Sequence, residues 1–159
     1  MKNKVKIYVD LDGTVCDSSR RLKSIKAPKN KTHYSAEYLH WLDLVQKEHD
    51  MLNDKVIKSM RTLARKLGKF VYLTSRDEKY RAITVKWLTK HKFPKRKLIM
   101  RSSNDKTSYG YFKQKEIKKY QKKGDQVILV DDDPRGQLAG ICAKNNWILL
   151  KVISGLNLP

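Results

Sequence analysis

A chain of 159 residues, 40% apolar and 33% charged, is long enough to bury one core and short for two, so a single domain over 1–159 is expected. Its net charge of +20 argues for a polyanionic partner, nucleic acid first, because each phosphate that a basic side chain neutralises releases counterions. No stretch approaches the ~20 apolar residues of a membrane span, no secretory leader pattern opens the chain, and no amphipathic basic segment suits a membrane surface. Two cysteines, Cys16 and Cys142, make no disulfide framework, which points to a reducing, cytoplasmic setting.

Along the chain, apolar runs and helical periodicities alternate. The first run, 5–9, reads as a strand and ends in Asp10-Leu11-Asp12-Gly13-Thr14. Lys23 to Lys31, with Pro28 inside it, reads as a basic loop, suited to a small cap over a site, to a phosphate backbone, or simply to solvent. Tyr34, Tyr38, Trp41, Leu42 and Val45 recur at helical spacing, as do Val56, Met60, Leu63, Ala64 and Leu67, with Gly68 as a stop. These stripes read as core. A second strand, 69–73, ends in Thr74-Ser75-Arg76, and Asp77 then caps a helix through Tyr80, Ile83, Trp87 and Leu88 that stops before Pro94. A third strand covers 97–100, and a lysine-rich helical segment containing Lys113 and Lys115 follows. The fourth strand, 127–130, ends in Asp131-Asp132-Asp133, where Pro134 fits the first turn of a helix through Leu138, Ile141 and Cys142. A fifth strand covers 148–153. Strands that alternate with helices predict an α/β fold with right-handed crossovers and a parallel sheet. The insert between the first two strands is mostly two helices, with no separate cap domain, which would leave a site open to a polymer end.

The chemistry starts with Asp10 and Asp12. Alternation along a strand places both on one side and turns Leu11 into the core, at the strand end where open α/β sheets hold ligands. Two close carboxylates repel each other, and a bound cation keeps both ionised. A carboxylate beside Mg²⁺ can attack phosphorus to form an aspartyl-phosphate, and a second can act as general acid and then base. Gly13 permits a sharp turn that would bring amide groups towards phosphate oxygens, and Thr14 reads as a turn or helix cap. Cys16 has no base beside it in sequence and reads as a bystander; His33, His40, His49 and His91 show no ligand spacing. No Gly-x-x-x-x-Gly-Lys-Ser/Thr loop occurs, so no kinase half is expected within these residues.

Two strands that end in carboxylates, one that ends in a hydroxyl, and a lysine before the last of them follow in order the motif series of the haloacid dehalogenase-like (HAD) phosphohydrolases. From about Val5 to Ser154 the chain resembles that superfamily. Within it the chain is similar to the 3′-phosphatase domains of bacteriophage polynucleotide kinase/phosphatases, through Leu73-Thr74-Ser75-Arg76, Tyr80-Arg81 leading to Lys86-Trp87, and Asp105 eight residues before Lys113.

The resemblance implies a Rossmann-like fold with a minimal cap and a five-stranded parallel sheet in the order 3-2-1-4-5, counted along the chain. It makes Asp10 the nucleophile, Asp12 the acid and base, Thr74 a phosphate hydrogen-bond donor and Lys113, or alternatively Lys115, the neutralising cation. Asp10, Asp12, Asp131 and Asp132 would hold Mg²⁺, with Asp133 as a helix cap, and Gly13, Ser75 and Arg76 would bind substrate, Arg76 gripping the phosphate. Two positions depart from the pattern: Ser75 replaces a glycine, and Thr107 replaces an arginine for which Lys106 can compensate. The implied activity is a Mg²⁺-dependent phosphatase that removes a terminal phosphate, 3′ in the first reading, from DNA or RNA in phage or bacterial end repair. The presence of Asp12 favours hydrolysis over phosphotransfer. A nucleotidase for nucleoside monophosphates and a catalytically silent nucleic-acid-binding module are the alternatives.

Overall fold

A computed structural model describes residues 4–29, 35–47 and 51–153. Its central sheet has five strands, all parallel: β1 (Val5–Val9), β4 (Val71–Asp77), β5 (Lys97–Arg101), β6 (Gln126–Asp131) and β7 (Ile148–Lys151). The spatial order is β5-β4-β1-β6-β7, which is the expected 3-2-1-4-5. Two short strands, β2 (Cys16–Asp17) and β3 (Lys55–Val56), form an antiparallel ribbon outside it.

Alternation along the strands explains why both faces of the sheet are covered. Val9, Tyr72 and Val130 point into one core, with Met60, Trp87 and Phe93. Their neighbours Tyr8, Leu73 and Leu129 point into the other, with Phe112, Leu138 and Trp147. The helices α3 (Lys58–Lys66) and α4 (Arg81–Lys90) supply the first core, and α5 (Tyr109–Tyr120) and α6 (Gln137–Asn145) the second. A parallel sheet buried on both faces accounts for strands that read as continuous apolar runs. Two further helices, α1 (Ser19–Ser24) and α2 (Ala36–Val45), form the small cap with the β2–β3 ribbon, and Trp41 Nε1 donates to Ile25 O at 3.0 Å to tie α2 down. Ser35 caps α2 by accepting from Tyr38 N at 3.1 Å.

Several boundaries differ from the expected ones for tertiary reasons. The second core strand runs 71–77 rather than 69–73: its register against β5 shifts between Leu73 and Asp77, so Thr74, Ser75 and Arg76 stay extended along a bulged edge. Val56 belongs to β3, paired with Cys16, and the helix starts two residues later; Leu63, placed in the core by its spacing, is 37% exposed. Pro134 precedes the last helix instead of opening it. Gly136 N donates to Asp133 O in a turn, and α6 starts at Gln137. The last strand stops at Lys151. Lys23 lies on α1 rather than in the basic loop, and Tyr34, His33, His49 and Lys31 lie outside the described residues.

Candidate active site

The carboxyl ends of β1 and β6 lie side by side, because Val9 pairs with Val130 and Asp10 N donates to Val130 O at 2.9 Å. The next residues of the two strands, Asp10 and Asp131, therefore meet at the sheet edge. Lys113 reaches them from α5, with Nζ 2.8 Å from Asp10 Oδ1 and 2.5 Å from Asp131 Oδ2, and all three side chains are buried. Asp132 joins the cluster: carboxylate oxygens of Asp10, Asp131 and Asp132 lie within 4.8 Å of one another. Lys115, the alternative, pairs instead with Asp105 at 2.5 Å on the outer side of the helix.

Three contacts hold the acidic edge in place. Thr14 is not a cap; its buried Oγ1 accepts from Asp132 N at 3.0 Å and ties the loop after β1 to the loop after β6. Asp133 caps α6 as expected, accepting from Leu138 N at 3.0 Å and Ala139 N at 3.2 Å, and the Tyr109 hydroxyl donates to it. Gly13 has φ +75°, and a Cβ there would meet Asp132 Oδ2 at 2.1 Å. Its amide donates to Cys16 O at 2.9 Å rather than facing a ligand, so this position needs glycine for the closeness of Asp132.

The electrostatics match this crowding. Burial pushes Asp10 well above the usual carboxylate range, with Lys113 opposing and Asp131 and Asp132 adding to the rise. Burial and the neighbouring Asp131 raise Asp132 to about 7. Lys113 rises despite its burial, because Asp10 and Asp131 favour its charge. One lysine thus faces three carboxylates. That deficit of positive charge, the all-oxygen donor set and the close approach that Gly13 permits fit a hard divalent cation such as Mg²⁺ at Asp10, Asp131 and Asp132.

Asp12 stands apart from this group. Its oxygens accept from Arg76 Nε at 2.7 Å, Arg76 Nη2 at 2.8 Å and Arg21 Nη2 at 2.9 Å. Burial alone would raise Asp12, but Arg76 and Arg21 overcome it and hold the carboxyl well below its ordinary range. The side chain of Asp12, expected among the metal ligands, is held by these guanidiniums and lies outside the cluster of Asp10, Asp131 and Asp132. Arg76, expected to grip a phosphate, lines the cavity with Nη1 on Thr84 Oγ1 at 3.3 Å and the other two nitrogens on Asp12. A buried guanidinium needs such pairing. Arg21 and Asp54 complete the arrangement, joined at 3.0 Å and fixed by Arg21 Nη1 on Val45 O and Trp87 Nε1 on Asp54 O. Cys16 Sγ lies 3.1 Å from Arg76 Nη2, and burial raises its thiol well above the normal value, in keeping with a bystander.

Both groups border one cavity of about 280 Å³ at the carboxyl edge of the sheet. Thr74 lines it with its hydroxyl turned to Arg76 N at 3.2 Å, and beside it the buried Ser75 Oγ has no hydrogen-bond partner among the described residues. Leu22, Tyr38, Leu39 and Leu42 of the cap form an apolar wall, and Arg101, Lys106 and Arg135 a basic one. Sequence reasoning missed Arg21, Asp54 and Gln46. Arg21 looks like its neighbour Arg20, and Asp54 lies 33 residues away from it, so only the folded cap reveals the pair. Tyr109 was also missed, although a tyrosine opening the helix that carries Lys113 was a usable sign.

A family model described as HAD superfamily, subfamily IIIB (Acid phosphatase) matches residues 1–150. The chain belongs to the HAD superfamily, in that phosphatase subfamily. Two solved structures share its fold: "Structure of Pnkp1/Rnl/Hen1 complex", with TM-score 0.65 and 20% identity over 95% of this chain, and "Structure of the Pnkp1/Rnl/Hen1 RNA repair complex", with TM-score 0.63 and 20% identity over 94%. The match covers 46% and 42% of those chains, so this chain spans less than half their length. No curated protein matches it. Among the described residues no helix is long and apolar enough to cross a membrane.

Proposed function

We propose that this HAD phosphatase is Mg²⁺-dependent and removes a terminal phosphate, 3′ in the first instance, from the ends of DNA or RNA. The observation that carries the reading is the division of labour at one cavity: Asp10 sits against Lys113 with Asp131 and Asp132, while Asp12 is held separately by two arginines. An Asp10 oxygen attacks phosphorus, the bond from phosphorus to the leaving oxygen breaks, and Asp12 delivers a proton to that oxygen. Water then attacks the aspartyl-phosphate, Asp12 takes its proton, and inorganic phosphate leaves as Asp10 is regenerated. Arg76 and Arg21 keep Asp12 ionised before substrate binds, and an arriving phosphate dianion raises its proton affinity by like-charge repulsion, which suits both the delivery and the later uptake of a proton. Lys113 offsets charge on the moving group, and the hydroxyls of Thr74 and Ser75, which line the cavity, would hydrogen-bond its oxygens. A bound Mg²⁺ would add further charge neutralisation.

The net charge of +20 and the basic wall of the cavity support a polynucleotide substrate. So does the likeness in fold to a chain from an RNA repair complex. Phosphate release should be compared for 3′-phosphorylated oligonucleotides, 5′-phosphorylated oligonucleotides and mononucleotides, with Mg²⁺ and with excess chelator. The 3′-phosphorylated oligonucleotide should be the best substrate, and chelator should stop its hydrolysis. Equal efficiency on a nucleoside monophosphate would transfer the assignment to a nucleotidase.

A further inference from the structure

Gln46 caps the C-terminal end of α2, is only 6% exposed, lines the cavity, and carries a buried Oε1 with no hydrogen-bond partner among the described residues. A buried amide oxygen left unpaired is costly, and native interiors rarely keep one without a use. Its place is specific. Tyr38, Leu42 and Gln46 follow each other at four-residue spacing on one side of α2, so a single helix face looks into the cavity. At one end Tyr38 OH accepts from Arg135 Nη2 at 3.4 Å, both lining the cavity that Asp132 also lines; at the other, Gln46 follows Val45, whose carbonyl holds Arg21 at 3.1 Å. That same guanidinium binds Asp12 at 2.9 Å.

We propose that Gln46 reads the hydroxyl next to the ester oxygen of the leaving group, which makes a ribonucleoside 3′-phosphate end the preferred substrate. The proposal rests on the phosphatase reading above. Asp12 marks the leaving-group side of the site, because its proton goes to the leaving oxygen, and Gln46 adjoins the arginine that holds Asp12. The polar group of the leaving nucleoside closest to that oxygen is the vicinal 2′-hydroxyl of ribose, while the apolar wall of Leu39 and Leu42 suits the base beyond it. A carboxamide turns readily about its last bond, so it can present either oxygen or nitrogen. A hydroxyl both donates and accepts, and so it satisfies either orientation.

The test compares kcat/KM for 3′-phosphorylated oligonucleotides of one sequence that end in a ribose, a 2′-deoxyribose or a 2′-fluoro sugar. The wild-type protein should favour the ribose end by about tenfold over both others, since a site built for a hydroxyl penalises its loss. Gln46→Met, close in size and apolar, should bring the ratio to within about twofold, and Gln46→Glu, which keeps an acceptor, should preserve it. Equal wild-type rates on all three ends overturn the proposal whether or not the variants fold. So does an unchanged ratio in Gln46→Met. Absence of phosphate release from every ester, phenyl phosphate included, would instead remove the phosphatase reading and this subsite with it.

Discussion

Lys113 is the residue on which the electrostatics of the site turn, since its ammonium bridges Asp10 and Asp131. Replacing it with methionine leaves three crowded carboxylates without their cation, so Lys113→Met should lower the stability of the metal-free protein at pH 8 by about 3 kcal/mol, read by chemical denaturation. Mg²⁺ should recover much of that loss while turnover stays abolished. Asp132 sets a pH dependence of opposite sign to that of a salt-bridged carboxylate. With a folded value near 7, it keeps a proton between about pH 4 and 7 that the unfolded chain has already released, so stability should fall as pH rises through that window. Melting curves of the chelated protein should therefore shift down by several degrees from pH 5 to 8, and Mg²⁺ should reverse the shift at pH 8; a metal-free curve that rises over this range would contradict the assignment. Arg76 acts through Asp12. Arg76→Lys removes the two-pronged contact, so kcat should fall by about a hundredfold and Asp12 should titrate at higher pH in the pH–rate profile.

At the level of elements, the turn after β1 decides whether the acidic edge can assemble. Gly13→Ala places a methyl group against the Asp132 carboxylate at a positive φ, so that carboxylate must leave its place beside Asp10 and Asp131. Loss of turnover with weaker Mg²⁺ binding, measured by titration calorimetry, is the expected outcome. The same turn shows what the sequence makes legible. Strand ends are local features: an apolar run that stops at Asp10, Thr74 or Asp131 announces its sheet edge, whereas the strand order comes from the resemblance to the HAD phosphohydrolases. Alternation also places Leu11 in the core and both flanking carboxylates on the cavity. Partners across the fold are not local. Val56 fits a helical stripe but joins a ribbon because Cys16 lies opposite it, and Pro134 yields the helix start to Gln137 because Asp133 caps from four residues upstream. Arg76 carries the charge of a phosphate ligand, and only the folded chain reveals that Asp12 already occupies it.

For the whole molecule, the excess of basic residues should appear as salt dependence. If about three backbone phosphates of a single strand are neutralised, log kcat/KM for an oligonucleotide should fall with log salt at a slope of roughly −2, whereas a mononucleotide should respond far less. Parallel slopes would separate the charge from substrate binding. Delivery of Asp10 as a nucleophile to a phosphate at a nucleic-acid end is decided by one comparison. Purified wild type and Asp10→Asn are given a 3′-phosphorylated oligonucleotide with Mg²⁺, and inorganic phosphate is measured alongside circular dichroism of both proteins. The wild type should release phosphate, and the folded Asp10→Asn protein should release essentially none while still binding the oligonucleotide. Full phosphate release by the folded Asp10→Asn variant would contradict the account.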